Sequence, residues 1–234
     1  MPLALKLRIM KTYRQGACRL AFTFFFRDLG SLELAISHLL PQAAGRSRIR
    51  IWDAGCAMGQ EPFTLAMLLA EQLSPMMFRN VEIIASDYDE GVIKVLDNAV
   101  YPYEQLQRIP ELYFKRYLEP SGTEGEYRVV APIRKAVRSV LHDLLSFTPV
   151  IDRLSLIVCK NVLLHFNQAE RIKVFNMFHD ALEPQGLLVT EHTQKLPPEA
   201  GHLFSQVTTQ CQLFCRTEVQ LSIQASNAIT DGRT

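Results

Sequence analysis

The stretch IWDAGCAMGQEPFTLAMLLAEQL, residues 51–73, constrains the fold most. An apolar run stops at Asp53, passes two glycines, and restarts as an apolar-periodic helix over Glu61–Leu73, with Phe63, Met67 and Ala70 near one face. Pro62 suits the first turn of that helix, where its missing N–H costs nothing. A strand that feeds a helix through a glycine turn is the first unit of an α/β sheet. In such sheets ligands sit beyond the carboxyl ends of the strands. The turn therefore puts Asp53, Gly55 and Cys56 at a ligand crevice, with Glu61 at the start of the helix. Its glycines allow a sharp bend and close approach of backbone to a ligand.

Further units follow the same rhythm. Val81–Ala85 reads as a strand that leads into Ser86-Asp87-Tyr88-Asp89, and Gly91–Val100 reads as a helix. The region 101–120 mixes helical spacing with three prolines, and SGTEGE (121–126) is a turn. Val137–Leu141 reads as an interior strand ending in His142-Asp143, and LSLIVCKN (154–161) as a buried strand ending at Asn161. Asn167 with Glu170 three residues on has the capping-box pattern for a helix running to about Leu182. GLLVTEH is a further strand, and CQLFCRTEVQLSI a late strand or hairpin. Leu32–Leu40 reads as a helix ended by Pro41, ahead of a short strand over Arg48–Trp52. Strands separated by helices predict an α/β, Rossmann-like fold. Its sheet is mostly parallel, with helices on both faces and an antiparallel C-terminal strand. The expected organisation is a basic and aromatic segment with a helix over 1–40, one domain over 41–225 with a short insert around 119–135, and a polar tail over 226–234.

Composition narrows the ligand. The formal net charge is +1, so bulk charge points to no nucleic-acid partner. The first 50 residues are nevertheless basic: Lys6, Arg8, Lys11, Arg14, Arg19, Arg27, Arg46, Arg48 and Arg50 face only Asp28 and Glu33, which is either a solvated surface or a docking surface for an acidic protein partner. The five cysteines show no ligand-pair spacing, so no metal site is expected, and their odd number without a secretory leader fits a reducing cytoplasm. No apolar stretch approaches the roughly 20 residues that cross a bilayer, so no membrane insertion is expected.

The glycine spacing is GxxxG, neither the dinucleotide GxGxxG nor a P-loop. Glu61 adds negative charge where a pyrophosphate would lie. Asp87, with Tyr88 beside it, stands where a carboxylate can accept both ribose hydroxyls, as it could in a nicotinamide site as well. Asp143 can accept from an adenine amino group while Leu144 lies against the ring, and Asn161 leaves a core strand needing partners; turn and cap roles compete for each. S-adenosylmethionine fits the set: it has ribose hydroxyls, an adenine, an amino-acid end and a sulfonium, and no phosphate.

Four blocks, in order, resemble the chemotaxis-receptor (CheR-type) protein-glutamate O-methyltransferases, a class I S-adenosylmethionine-dependent family. They are Thr23–Asp28 (TFFFRD), Ala54–Phe63 (AGCAMGQEPF), Ala85–Asp89 (ASDYD) and Cys159–Phe166 (CKNVLLHF), and the resemblance covers about residues 22–195. It implies methyl transfer from S-adenosylmethionine to a glutamate carboxylate, with S-adenosylhomocysteine as product. It also implies that Arg27 sits near the transferred methyl and the acceptor, that Thr23 holds the methionyl part, and that Glu61 and Asp87 hold the amino-acid or ribose parts. Asp143 would address the adenine, and Asn161 and Val162 would line the pocket. The chain departs from the family pattern at Asp53, Gln60, Lys160 and His165, where the family has a smaller polar residue, an acid, an arginine and a tyrosine. Only 22 residues precede Thr23, so most of the family's helical N-terminal domain is expected to be missing.

The acceptor is then a protein or a small molecule. Two further readings stay open: a cofactor-binding regulatory protein that has lost catalysis, and a hydroxyl O-methyltransferase using His165 as base. A nucleic-acid methyltransferase has only the basic N-terminal stretch in its favour.

Overall fold

The computed structural model describes residues 23–193 and 195–218. Its helices are α1 Leu29–Ala43, α2 Gln60–Gln72, α3 Pro75–Phe78, α4 Glu90–Asn98, α5 Tyr103–Leu106, α6 Glu111–Tyr117, α7 Ala131–Ala136 and α8 Gln168–Ala181. Its strands are β1 Ile49–Ala54, β2 Val81–Asp87, β3 Val100–Pro102, β4 Leu118–Pro120, β5 Glu126–Val129, β6 Val137–Leu141, β7 Leu154–Cys159, β8 Leu182–Thr190, β9 Phe204–Gln206 and β10 Leu213–Arg216.

Among the described residues the main sheet has seven strands in the order β6-β2-β1-β7-β8-β10-β9. β6, β2, β1, β7 and β8 are parallel. β10 runs antiparallel to both β8 and β9. The chain steps outward from β1 to β2 and β6, then returns to lay β7 on the other side of β1. That reversal is a topological switch point, where neighbouring crossovers leave on opposite faces and open a crevice at the carboxyl ends.

Successive strand residues point to opposite faces, and here both faces are apolar. Ile51, Ile83, Leu156 and Leu187 join one core cluster with Leu32, Ile36 and Leu39 of α1 and Leu65 and Leu69 of α2. Trp52, Ile84, Ile157 and Leu188 join the other, with Val174, Phe175 and Phe178 of α8. Trp52 is fully buried, edge-on to Phe178 at 5.4 Å, and its indole N–H donates to Ser86 Oγ at 2.8 Å. The run LSLIVC is buried at every position because β7 is central and covered on both sides.

Several elements differ from the sequence expectation. Pro41 does not end α1, which runs on to Ala43; a proline in the last turn removes a single backbone bond, and burial of Leu39 and Ala43 outweighs that loss. β6 is an edge strand, not an interior one, and only partly buried: Val137 packs on one core cluster and Val140 on the other, while Leu141 is exposed. The short insert does form a small antiparallel sheet, in the order β3-β5-β4, but the sheet reaches back to Val100, with the helical turns α5 and α6 between β3 and β4. Phe114 packs on Tyr127 there at 5.0 Å. β9 is a further edge strand that sequence reading leaves out. Within the described residues no helix is long and apolar enough to cross a membrane. The basic residues Lys6 to Arg19 lie outside the described residues.

Candidate cofactor and acceptor crevice

The carboxyl ends of β1, β2, β7 and β8 are adjacent in the sheet. At those ends stand Asp53, still paired within β1, and Asp87, the last residue of β2, with Lys160, Asn161 and Glu191 just past β7 and β8. Gly55 and Cys56 both donate their N–H to Ser86 O, at 2.8 and 2.9 Å, which folds the glycine turn against the end of β2. Asp87 completes the turn: Oδ2 accepts from Ala57 N–H at 3.1 Å and Oδ1 from Asp89 N–H at 3.1 Å. Burial raises the Asp87 pKa, and the backbone donors offset part of the rise. Each carboxylate oxygen retains a lone pair for a further donor. Tyr88, next in the chain, is 51% exposed.

The glycines are demanded by protein contacts. Gly55 has φ 91° and a Cβ there would meet Val162 Cγ2 at 2.3 Å; Gly59 has φ 94° and a Cβ would meet Tyr101 Oη at 2.8 Å. Tyr101 in turn donates to Met58 O at 2.6 Å. The close approach expected toward a ligand is thus, at these two positions, toward Val162 and Tyr101. Cys56 is buried, and burial first, then Asp53, pushes its thiol pKa well up, which favours packing over nucleophilic chemistry.

Asp53 is 1% exposed, and neither carboxylate oxygen has a hydrogen-bond partner among the described residues. Its pKa is raised well above the usual range by burial and then by Glu61, against the pull of Lys160, with Asp87 adding to the rise. Lys160 has a buried ammonium 2.9 Å from Glu61 Oε2 and 3.3 Å from Asp28 Oδ2. Burial pulls its pKa down, but Glu61 and Asp28 outweigh that and the net shift is upward.

The segment from Thr23 to Asp28 closes one side. Phe25 is fully buried, edge-on to Tyr101 at 5.0 Å, so of the three phenylalanines it is a core residue. Phe26, at φ 61°, donates its N–H to Thr64 Oγ1 at 3.1 Å, which ties the segment to α2. These anchors bring Arg27 across to β7: Nη2 donates to Asn161 Oδ1 at 3.0 Å, and Nε lies 3.8 Å from Asp28 Oδ2. Thr23 is half-buried at the described start of the same segment.

Asn161 has φ 61°, and its N–H donates to Glu191 Oε2 at 3.0 Å. Glu191 is 6% exposed and was not singled out in the sequence, although an acid directly after an apolar strand is the signal that marks Asp53. Asp143 follows β6, where its Oδ1 caps the turn Leu144–Ser146 by accepting from Leu145 N–H at 2.8 Å; Leu144 is buried. His165 ends the short turn Leu163–His165 that follows Asn161; it is exposed, beside Leu164 at 51% exposure. Arg27, Asn161, Lys160, Glu61 and Asp28 are thus joined by direct contacts, with Asp87 bound to the adjoining turn.

The residues suit an S-adenosyl ligand. A crevice holding Asp53, Glu61, Asp87 and Glu191 against Lys160 and Arg27 carries excess acid, and Asp53 has two buried oxygens without protein donors. Such a site favours a ligand with an ammonium, a sulfonium and hydroxyls and opposes a pyrophosphate.

Comparison with known proteins agrees. The family model described as CheR methyltransferase, SAM binding domain, where SAM is S-adenosylmethionine, matches residues 21–213. Chemotaxis protein methyltransferase 2 of Pseudomonas aeruginosa is 31% identical over 188 residues, which is 79% of this chain and 66% of that protein. Chemotaxis protein methyltransferase 2 of Vibrio cholerae is 27% identical over 180 residues, 74% of this chain and 62% of that one. The chain therefore spans a little under two thirds of the length of these two relatives. Among solved structures, a TehB-like SAM-dependent methyltransferase from Corynebacterium glutamicum aligns over 91% of this chain and 93% of its own, with TM-score 0.44 and 14% identity.

Proposed function

The chain belongs to the CheR methyltransferase family and carries its S-adenosylmethionine-binding domain, and from that premise we propose that it transfers a methyl group to a carboxylate oxygen of a glutamate-like acceptor. The observation that carries the reading is the Arg27–Asn161 bond, which holds a guanidinium at the carboxyl end of β7, next to the switch point.

S-adenosylmethionine, when bound, supplies an electrophilic methyl on a sulfonium. Asp87 would accept from the ribose hydroxyls, Tyr88 would flank the ribose, and Asp143 and Leu144 would meet the adenine. Thr23, Asp53 and Glu61 would receive the amino-acid end, with Gly55, Cys56 and Val162 shaping the wall. The acids favour both cationic centres of the ligand electrostatically. Arg27 orients the acceptor carboxylate through its planar fork. A carboxylate is already ionised at neutral pH, so this acceptor needs no general base, and placement is the main catalytic work. The attacking oxygen forms the new O–C bond as the C–S bond breaks; the product is a neutral ester and a thioether, and no proton moves.

The exposed His165 on the turn after Asn161 favours one other reading, a hydroxyl acceptor with histidine as base. One experiment separates the two. Methyl-tritiated S-adenosylmethionine is incubated with acidic peptides and, in parallel, with phenols and alcohols. The expected product is a peptide methyl ester whose label is released as methanol by mild alkali. Label stable to alkali, or transfer only to hydroxyl compounds, contradicts the carboxylate reading. On this reading His165→Phe keeps kcat within about threefold at saturating peptide. A loss of about a hundredfold or more, the size of a general-base contribution, would restore the hydroxyl reading.

A further inference from the structure

We propose that Glu191 is a positioning residue: it fixes the backbone at Asn161 and, through the Asn161 side chain, the guanidinium of Arg27. This rests on the reading of Arg27 as the acceptor-side group.

Cys159 and Thr190 are register partners at the ends of β7 and β8, so the residues that leave the two strands emerge side by side. At Asn161 the chain turns into the left-handed region, φ 61°. Asparagine tolerates that conformation better than most residues, but it is not the resting state of the chain. The turn also takes the Asn161 N–H out of the parallel ladder, and a buried amide needs an acceptor. Glu191 Oε2 supplies it at 3.0 Å. On the other side of the residue, Oδ1 accepts from Arg27 Nη2 at 3.0 Å. Two directional bonds thus run from the end of β8 to Arg27 through one residue.

Glu191 makes an unusual cap. It is 6% exposed, and Oε1 has no hydrogen-bond partner among the described residues. Burying a carboxylate for one amide costs more than burying a neutral acceptor. What it supplies is a side-chain oxygen acceptor held at the one residue that also holds Arg27. The turn has little slack elsewhere: Val162 fills the space in which a Cβ on Gly55 would stand. Without the Glu191 acceptor the Asn161 peptide relaxes, and the Asn161 side chain no longer meets Arg27 in one place.

The test is proton–nitrogen NMR of the full chain without cofactor or acceptor, reading the Asn161 amide and the Arg27 side-chain signals, the latter assigned with Arg27→Lys. In the parent, Arg27 gives separate Nη signals from hindered rotation. Glu191→Gln, which keeps an oxygen acceptor, leaves both probes in place. Glu191→Ala shifts the Asn161 amide, speeds its deuterium exchange about tenfold or more, and collapses the Arg27 Nη signals while other arginine signals hold. Asn161→Gly, which permits the left-handed turn and leaves Glu191 intact, reproduces the Arg27 change. If Glu191→Ala does not fold, Glu191→Asp, one methylene short, carries the same expectation. Unmoved Arg27 signals in a folded Ala or Asp variant overturn the proposal and leave Glu191 a stability residue only. Glu191→Gln behaving like Glu191→Ala overturns it as well. Because nothing is bound or transferred, failure of the carboxylate reading would leave this spectrum as described, and failure of this proposal would leave methyl transfer to be observed.

Discussion

At the scale of single residues, the buried acid Asp53 has the clearest consequence for pH. Burial, then Glu61, hold its pKa above the ordinary value, so the folded chain binds this proton more tightly than the unfolded chain does. Stability therefore falls as pH rises from the unfolded carboxylate range, about 4, through the folded pKa, and the full penalty is present above it. Asp53→Asn removes that ionisation. Urea melts should show the variant gaining on the parent as pH rises from about 4 toward neutrality. A parent–variant difference that stays constant across this range rules out ionisation of Asp53 as the source. Asp53, Glu61 and Asp87 were legible in the sequence because each is an acid beside an obvious strand end or glycine turn. Glu191 was not, because GLLVTEH reads as a strand continuing to His192, which hides the end at Thr190. Lys160 reads as a stand-in for arginine. Its pairing with Glu61 and Asp28 was not legible, since those partners lie on α2 and just before α1.

At the scale of elements, local chemistry was readable wherever one rule dominated. The Asn167–Glu170 capping box forms in full: Asn167 Oδ1 accepts from Glu170 N–H, and Glu170 Oε2 accepts from Asn167 N–H, each at 3.0 Å. Asn167→Ala removes one half of it and should lower the unfolding free energy by about 1 kcal/mol in denaturant titration. No change would mean that packing of Phe175 and Phe178 alone sets the start of α8. Elements fixed by tertiary contact were not readable. The proline in α1 looks like a stop and is overridden by burial. β3 and β4 each have three residues and end in a proline, too short for any alternation to register, and they exist by pairing with β5. β6 looks interior because Val137 and Val140 pack on the two core clusters, one on each face, whereas its place at the sheet edge is decided by strand order.

At the scale of the whole molecule, the class of fold follows from one repeated unit, a strand, a turn and a helix, and from both faces of the sheet being apolar. The order β6-β2-β1-β7-β8-β10-β9 then forces the crevice to lie between the ends of β1 and β7. Every candidate cofactor residue stands at the carboxyl end of a parallel strand, in the turn after it, in the first turn of α2, or on the segment that α2 anchors. A ligand that binds only the folded chain should raise stability by about 2.7 kcal/mol at one hundred times its dissociation constant. S-adenosylhomocysteine is therefore expected to raise the thermal midpoint in a concentration-dependent way. The most direct measurement is calorimetric titration of the full chain with S-adenosylhomocysteine, NAD and ATP, repeated on Asp87→Ala. The predicted result is one S-adenosylhomocysteine per chain, no binding of NAD or ATP, and affinity at least about tenfold weaker in the variant, the loss expected for hydrogen bonds to a charged group. Tight binding of NAD or ATP with no uptake of S-adenosylhomocysteine, or an affinity unchanged by Asp87→Ala, would contradict the account.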